Sequence, residues 1–158
     1  MKFKGVIFDL DGVLCFTDEL HYRAWKMLAD RLNIYFDREI NNRLRGVSRM
    51  ESLEIVFERA SRDYTIAEKE AFAAEKNAYY VESLRTMSEK DVSDEVRTTL
   101  AALKERGIKI AIGSSSKNTP TILERIGLES AFDAVSDGNN IIRSKPDPEV
   151  FLKAAEFL

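Results

Sequence analysis

An internal disulfide is excluded at once, because the chain contains one cysteine, Cys15. A single thiol has nothing to pair with and reads as a small hydrophobe. No N-terminal stretch combines a basic region, an apolar segment and a small-residue cleavage site, so no secretory leader is expected. Nor does any apolar run approach the roughly 20 residues that span a bilayer. Excess charge of either sign is also missing: 24 basic residues face 27 acidic ones, for a net charge of −3. That balance offers no electrostatic footprint for nucleic acid or an anionic membrane. Internal repeats and low-complexity segments are absent as well. The expectation is a cytoplasmic protein whose partner is a small molecule.

What is present is a globular composition, 44% hydrophobic over 158 residues, enough for one or two domains with a sizeable core. Residues 3–10 read Phe-Lys-Gly-Val-Ile-Phe-Asp-Leu and break at Asp11-Gly12, which predicts a buried parallel strand followed by a loop. From Thr17 to about Met87 the character is helical. Leu20, Trp25, Leu28 and Leu32 lie near one face, Leu53, Val56, Phe57 and Ala60 repeat it, and Thr65-Ile66-Ala67-Glu68 has capping-box form. After Asp91 the rhythm becomes helix, strand, helix, strand, the signature of a parallel α/β sheet. Helices are expected at 94–106, 120–126 and from about Pro148, with strands at 108–113 and 132–135. Gly107 and Gly127 close the first two helices. The fold class is therefore α/β, a Rossmann-like parallel-sheet core of residues 1–15 and 92–158 with an all-helical cap of residues 16–91 inserted. The apolar ending Phe157-Leu158, with no Gly or Asn to cap the last helix, predicts a longer natural chain.

Ligands of open parallel sheets gather at the carboxyl ends of strands, so the polar residues there are the candidates. The first strand delivers Asp9 and Asp11. Two carboxylates two residues apart in extended chain point to one side, and Gly12 lets the backbone turn beside them. Such a pair can hold a hard cation while one member acts as nucleophile. A solvated strand-end turn has the same composition, so Asp-x-Asp-Gly alone is weak. The second strand delivers Ser114 and the segment after the third delivers Lys145. A hydroxyl and an ammonium converging on those carboxylates can bind a phosphate and neutralise developing charge. Taken singly, Ser114 suits a helix cap and Lys145 a surface charge in a Pro-rich loop. Their ordered appearance at three successive strand ends favours the joint reading.

These motifs resemble those of the haloacid dehalogenase superfamily: Asp9-Leu10-Asp11-Gly12-Val13 the first, Ser114 the second, Lys145 the third. The resemblance is closest to its β-phosphoglucomutase-like branch and covers essentially the whole chain. It rests further on His21-Tyr22-Arg23-Ala24-Trp25, Gly46-Val47-Ser48-Arg49, Lys76-Asn77 and Ser114-Ser115-Ser116-Lys117-Asn118. The resemblance implies that Asp9 attacks phosphorus, that Asp11 is general acid and base, and that Ser114 and Lys145 steady the transferring group. It implies Mg²⁺ on the Asp9 carboxylate and the Asp11 carbonyl. Arg49 is implied as the clamp for a distal phosphate, assisted by Ser116, Lys117 and Asn118 from the core, with Gly46, Val47, Ser48 and Ser52 as further substrate contacts. His21 and Lys76 would couple substrate binding to closure, with Trp25 beside them. By residue type alone, His21 and Trp25 read as packed, and Lys76 as solvated on a charged helix.

The function so implied is interconversion of β-glucose 1-phosphate and glucose 6-phosphate through an aspartyl phosphate and a sugar bisphosphate, by a monomer at full length. The alternatives are a sugar-phosphate phosphatase of the same superfamily and an inactive remnant. The superfamily's fourth motif, an acidic cluster supplying another magnesium carboxylate, is expected after residue 158. The polypeptide by itself is accordingly expected to have little activity and to aggregate through an exposed first strand. Equal turnover by a chain carrying that motif and by this one would overturn the expectation. Two departures from the usual pattern stand out: Cys15-Phe16, where relatives carry a more polar pair, and Ser93-Asp94-Glu95 in place of a Pro-Gly turn.

Overall fold

The computed structural model describes residues 3–158. Three parallel strands, β1 (Gly5–Phe8), β2 (Lys109–Gly113) and β3 (Ala134–Ser136), form a sheet of order β1-β2-β3. Val6 pairs with Ile110 and Ile112 with Val135. Among the described residues β1 is an edge strand, as expected. It is shorter than the apolar run predicts because the chain turns at Leu10, whose carbonyl accepts from the amides of Leu14 and Cys15. β3 starts two residues later than expected. Asp133, just before it, meets Ile110 twice, its amide donating to the Ile110 carbonyl at 2.8 Å and its carboxylate accepting from the Ile110 amide at 2.9 Å.

The period of two along β2 separates two faces. Ile110 and Ile112 point into a core shared with Leu100, Ile122, Leu123 and Ile126, under α5 (Asp94–Glu105) and α6 (Thr119–Arg125). Ala111 and Gly113 take the other face, where Ala111 meets Ala134 and Ala154 under α7 (Glu149–Phe157). A Cβ at Gly113 would lie 2.7 Å from the Phe151 ring, so the missing side chain is what lets α7 lie close to the sheet. Gly107 and Gly127, at φ of 67° and 68°, end α5 and α6 as predicted. In each case the following amide reaches back to the helix, Ile108 to Leu103 and Leu128 to Leu123.

Between β1 and α5 the chain is helical: α1 (Asp18–Arg31), α2 (Arg38–Asn42), α3 (Arg49–Phe57) and α4 (Ile66–Ser83), then two short 3₁₀ turns. Trp25, Leu28, Leu53, Val56 and Ala73 form a core of their own. The capping box at Thr65 and Glu68 is formed, and Ser48 with Glu51 makes a second one at the start of α3. Ala24, Tyr80 and Leu84 join the sheet-side core with Leu10 and Cys15, and this seam sets the helices over the ends of β1 and β2.

Candidate active site

A cleft of about 590 Å³ lies between the strand ends and the helical layer. Asp9 follows β1 directly, and Ser114 follows β2 directly, its amide donating to the Ser136 carbonyl. Lys145 arrives on the loop after β3, where its ammonium lies 2.7 Å from Asp9 Oδ1. That carboxylate oxygen also accepts from the Leu10 amide at 2.8 Å. Neither bland alternative holds. Ser114 is buried and caps no helix, and Lys145 is mostly enclosed and paired. The three strand-end residues predicted to converge are thus found together.

Asp11 lines the same cleft. Gly12 beside it adopts φ of 81°, the left-handed turn predicted for it. The Thr17 hydroxyl donates to Asp11 Oδ1. Burial raises the Asp11 carboxyl above its ordinary range and Asp9 adds to that; Thr17, Lys145 and Lys76 pull the other way. Thr17 is fully buried at the residue preceding α1, yet it makes no side-chain cap, because its hydroxyl is committed to Asp11. Sequence reasoning used Thr17 only as a helix start. An N-cap residue type six positions after a candidate carboxylate was the available signal.

From the helical side, α1 contributes His21 and Trp25 and α4 contributes Lys76. Lys76 is 3% exposed, not solvated, with its ammonium 4.7 Å from the ring centres of both Trp25 and Tyr80. Its third neighbour is His21 Nδ1 at 3.0 Å. Burial and the Arg49 cation bring its pKa down to about 7. His21 stacks on Tyr80 with ring centres 4.0 Å apart, and desolvation with the Lys76 and Arg49 charges holds it well below the ordinary histidine range. A neutral imidazole accepting from Lys76 through Nδ1 carries its proton on Nε2. The sequence places Tyr80 on a helix without assigning it to the site. Burial pushes its hydroxyl well above the ordinary phenol range, and no group among the described residues reaches it in hydrogen-bonding geometry.

The stretch 46–52 shares the cleft with Asp9 and Ser114. Gly46, Val47, Arg49 and Ser52 line the cleft, and Arg49 pairs with no carboxylate among the described residues. Ser48 does not line the cleft. Its hydroxyl accepts from the Glu51 amide at 3.3 Å and so caps the helix N-terminus. After β2 the turns tighten in sequence: Ser114 Oγ accepts from the Ser116 amide, and Ser116 Oγ from the Asn118 amide. This brings Ser116, Lys117 and Asn118 to the cleft. Asn118 Nδ2 donates to Asn77 Oδ1 at 2.9 Å, a contact across the cleft that the sequence did not reveal. Arg45, also on the wall, is held by Asp18 at 3.0 and 3.1 Å. Phe16, 76% exposed, stands at the mouth.

For a cation, the donor chemistry is oxygen. No three His, Cys, Asp or Glu side chains cluster among the described residues. With Asp9 Oδ1 paired with Lys145 and Asp11 Oδ1 with Thr17, the second oxygens of the two carboxylates and backbone carbonyls are what remain. That set fits magnesium, which is commonly held by one or two carboxylates completed by water and substrate phosphate. Zinc sites are usually built on several Cys or His side chains, and no such group is present among the described residues.

Comparison with known proteins agrees with this geometry. A family model for haloacid dehalogenase-like hydrolases matches residues 3–158. The chain is 43% identical over 157 residues to the β-phosphoglucomutase of Bacillus subtilis (strain 168), covering 98% of this chain and 70% of that protein. It is 30% identical to the phosphorylated carbohydrates phosphatase of Thermotoga maritima, at the same coverage of 98% and 70%. A crystal structure of β-phosphoglucomutase from Clostridium difficile matches with a TM-score of 0.94 at 36% identity, over 99% of this chain and 71% of that one.

Proposed function

The chain belongs to the haloacid dehalogenase-like hydrolase family, and on that premise we propose that it is a sugar-phosphate phosphotransferase interconverting β-glucose 1-phosphate and glucose 6-phosphate. The observation that carries the reading is the presence, within one cleft, of the Asp9–Lys145 pair and of an Arg49 that no carboxylate among the described residues neutralises. A phosphoryl group at Asp9 and a second phosphate at Arg49 account for both ends.

In this mechanism a sugar bisphosphate enters with one phosphoryl between Asp9, Ser114 and Lys145. The Asp9 carboxylate attacks that phosphorus, the bond to the sugar oxygen breaks, and Asp11 gives that oxygen its proton, which releases one sugar monophosphate. The isomeric monophosphate then binds, its free hydroxyl gives its proton to Asp11 and attacks the aspartyl phosphate, and this re-forms the bisphosphate and restores Asp9. Burial suits Asp11 to the acid role, and the Thr17 hydroxyl aims it. Lys145 offsets the charge that accumulates on phosphorus oxygens. Arg49 holds the non-reacting phosphate through its planar fork, with Lys117 and Asn118 beside it from the core. Magnesium on Asp9 and the Asp11 carbonyl would supply further charge neutralisation when bound.

A second reading, hydrolysis with water in place of the second hydroxyl, is favoured by the similarity to a carbohydrate phosphatase. A coupled assay separates the two. Glucose 6-phosphate formation that depends on added bisphosphate supports the mutase, whereas stoichiometric inorganic phosphate overturns it in favour of hydrolysis. With no helix among the described residues long and apolar enough to cross a membrane, a cytoplasmic setting is part of the same proposal.

A further inference from the structure

On the flank of the cleft away from β1, the Ser144 hydroxyl donates to Glu51 Oε2 at 3.0 Å. The residues joined are neighbours of the two cations that hold opposite ends of the substrate. Ser144 precedes Lys145, and Glu51 lies two positions after Arg49 on the same helical turn. Neither end of the bond is loose. The Glu51 carboxylate also accepts from the Ser48 amide at 2.9 Å, which fixes it to the start of α3 and so to Arg49. On the core side the Lys145 amide donates to Ser115 Oγ at 3.3 Å, and its ammonium is held by Asp9. Gly46, at φ of 79°, lies against the Lys145 side chain, where an added Cβ would be 3.7 Å from Lys145 Cβ. The segments 46–51 and 144–145 therefore meet at more than one point, and the Glu51–Ser144 bond is the polar link between them.

We propose that Glu51 and Ser144 are positioning residues that set the register of Arg49 against Lys145, and so the separation at which the site accepts a phosphate and a reacting sugar oxygen. The inference rests on the proposed assignment of Arg49 to the distal phosphate. Neither residue touches the reacting atoms. The Glu51 carboxylate is the shared anchor, because one oxygen closes the α3 capping box and receives the core hydroxyl. An exposed position lets water compete for this bond, which makes its effect moderate.

Titration calorimetry with glucose 6-phosphate and, separately, inorganic phosphate tests the idea. Ser144→Ala leaves the capping box intact, and it should weaken glucose 6-phosphate binding by about three- to tenfold. Its affinity for inorganic phosphate, which needs only one end of the site, should stay within about twofold, and its thermal midpoint should match wild type. Ser144→Thr, which keeps the hydroxyl, and Glu51→Gln, which keeps the acceptor, should both bind glucose 6-phosphate like wild type. Undiminished sugar-phosphate binding by Ser144→Ala overturns the proposal, as does an equal loss for both ligands, which marks a general structural role. Failure of the underlying assignment shows separately: wild type binding glucose 6-phosphate no more tightly than inorganic phosphate removes the distal-phosphate role of Arg49, and the register with it.

Discussion

Lys76 is a charge placed where a charge is costly. Its folded pKa of about 7 stands against 10.5 for the free side chain, through burial first and Arg49 second, with Asp11 only partly compensating. Between those values the unfolded chain binds the extra proton, so this residue makes stability rise with pH from about 7 towards 10 and exacts its full penalty below 7. Lys76→Met, similar in length and uncharged, should be more stable than wild type near pH 6, with an advantage that shrinks towards pH 9. Urea unfolding at the two pH values measures this, and an advantage independent of pH would contradict it. Thr17 works in the opposite sense, stabilising the charged form of Asp11. Thr17→Val keeps the shape and removes the donor. A hydrogen bond to a charged group contributes about 1.5–3 kcal/mol, so kcat should fall by roughly 10- to 100-fold. The acid limb of the pH–rate profile should move to higher pH, since the released carboxyl titrates later. Neither role follows from residue type. A Lys on a charged helix and a Thr at a helix start are ordinary, and only their neighbours make them unusual.

At the scale of elements, the strands deliver chemistry because each ends at the cleft, and β2 is the one with least latitude. Its alternation puts isoleucines under α5 and α6 and small residues under α7. Gly113→Ala would drive a methyl into Phe151, whose ring also lies 4.8 Å from the Lys145 ammonium. Overpacking of this kind costs about 1–3 kcal/mol. The variant should lose that much in denaturant unfolding and also lose activity, because the ring that shifts supports Lys145. Wild-type stability would show instead that α7 can move out freely. The helix ends were legible: Gly107, Gly127 and the Thr65 box act locally and needed nothing from the tertiary fold. Strand ends were less so, since Leu10 turns into the loop after β1 and β3 opens only after Asp133.

For the whole molecule, the cleft exists only as a relation between two layers. Arg49 lines the cleft from α3, and on the proposed reading it holds the end of the substrate that does not react. Arg49→Ala should weaken glucose 6-phosphate binding by about 10- to 100-fold, the loss expected for a charge-assisted contact, while inorganic phosphate binding changes within about twofold. Arg49→Lys should recover only part of it, because an ammonium lacks the bidentate fork. Equal losses for both ligands would place Arg49 at the reacting phosphate instead.

The order of motifs along the chain, Asp9 and Asp11, then Ser114, then Lys145, was readable in advance because parallel strands carry their carboxyl ends to one edge, with Asp9 and Ser114 directly after their strands and Lys145 on the loop after β3. Hydrophobic period and capping residues likewise foretold the helices, being interactions within a few positions of each other. The burial of Lys76 between Trp25 and Tyr80, the diversion of Ser48 into a helix cap, the Thr17 hold on Asp11 and the Glu51–Ser144 bond were decided by tertiary structure alone. Each depends on which of several possible partners a polar group meets. For Lys76, Thr17 and Ser144 those partners come from elements far apart in the chain or from a turn whose shape the packing sets, and for Ser48 the helix and the cleft competed for one hydroxyl.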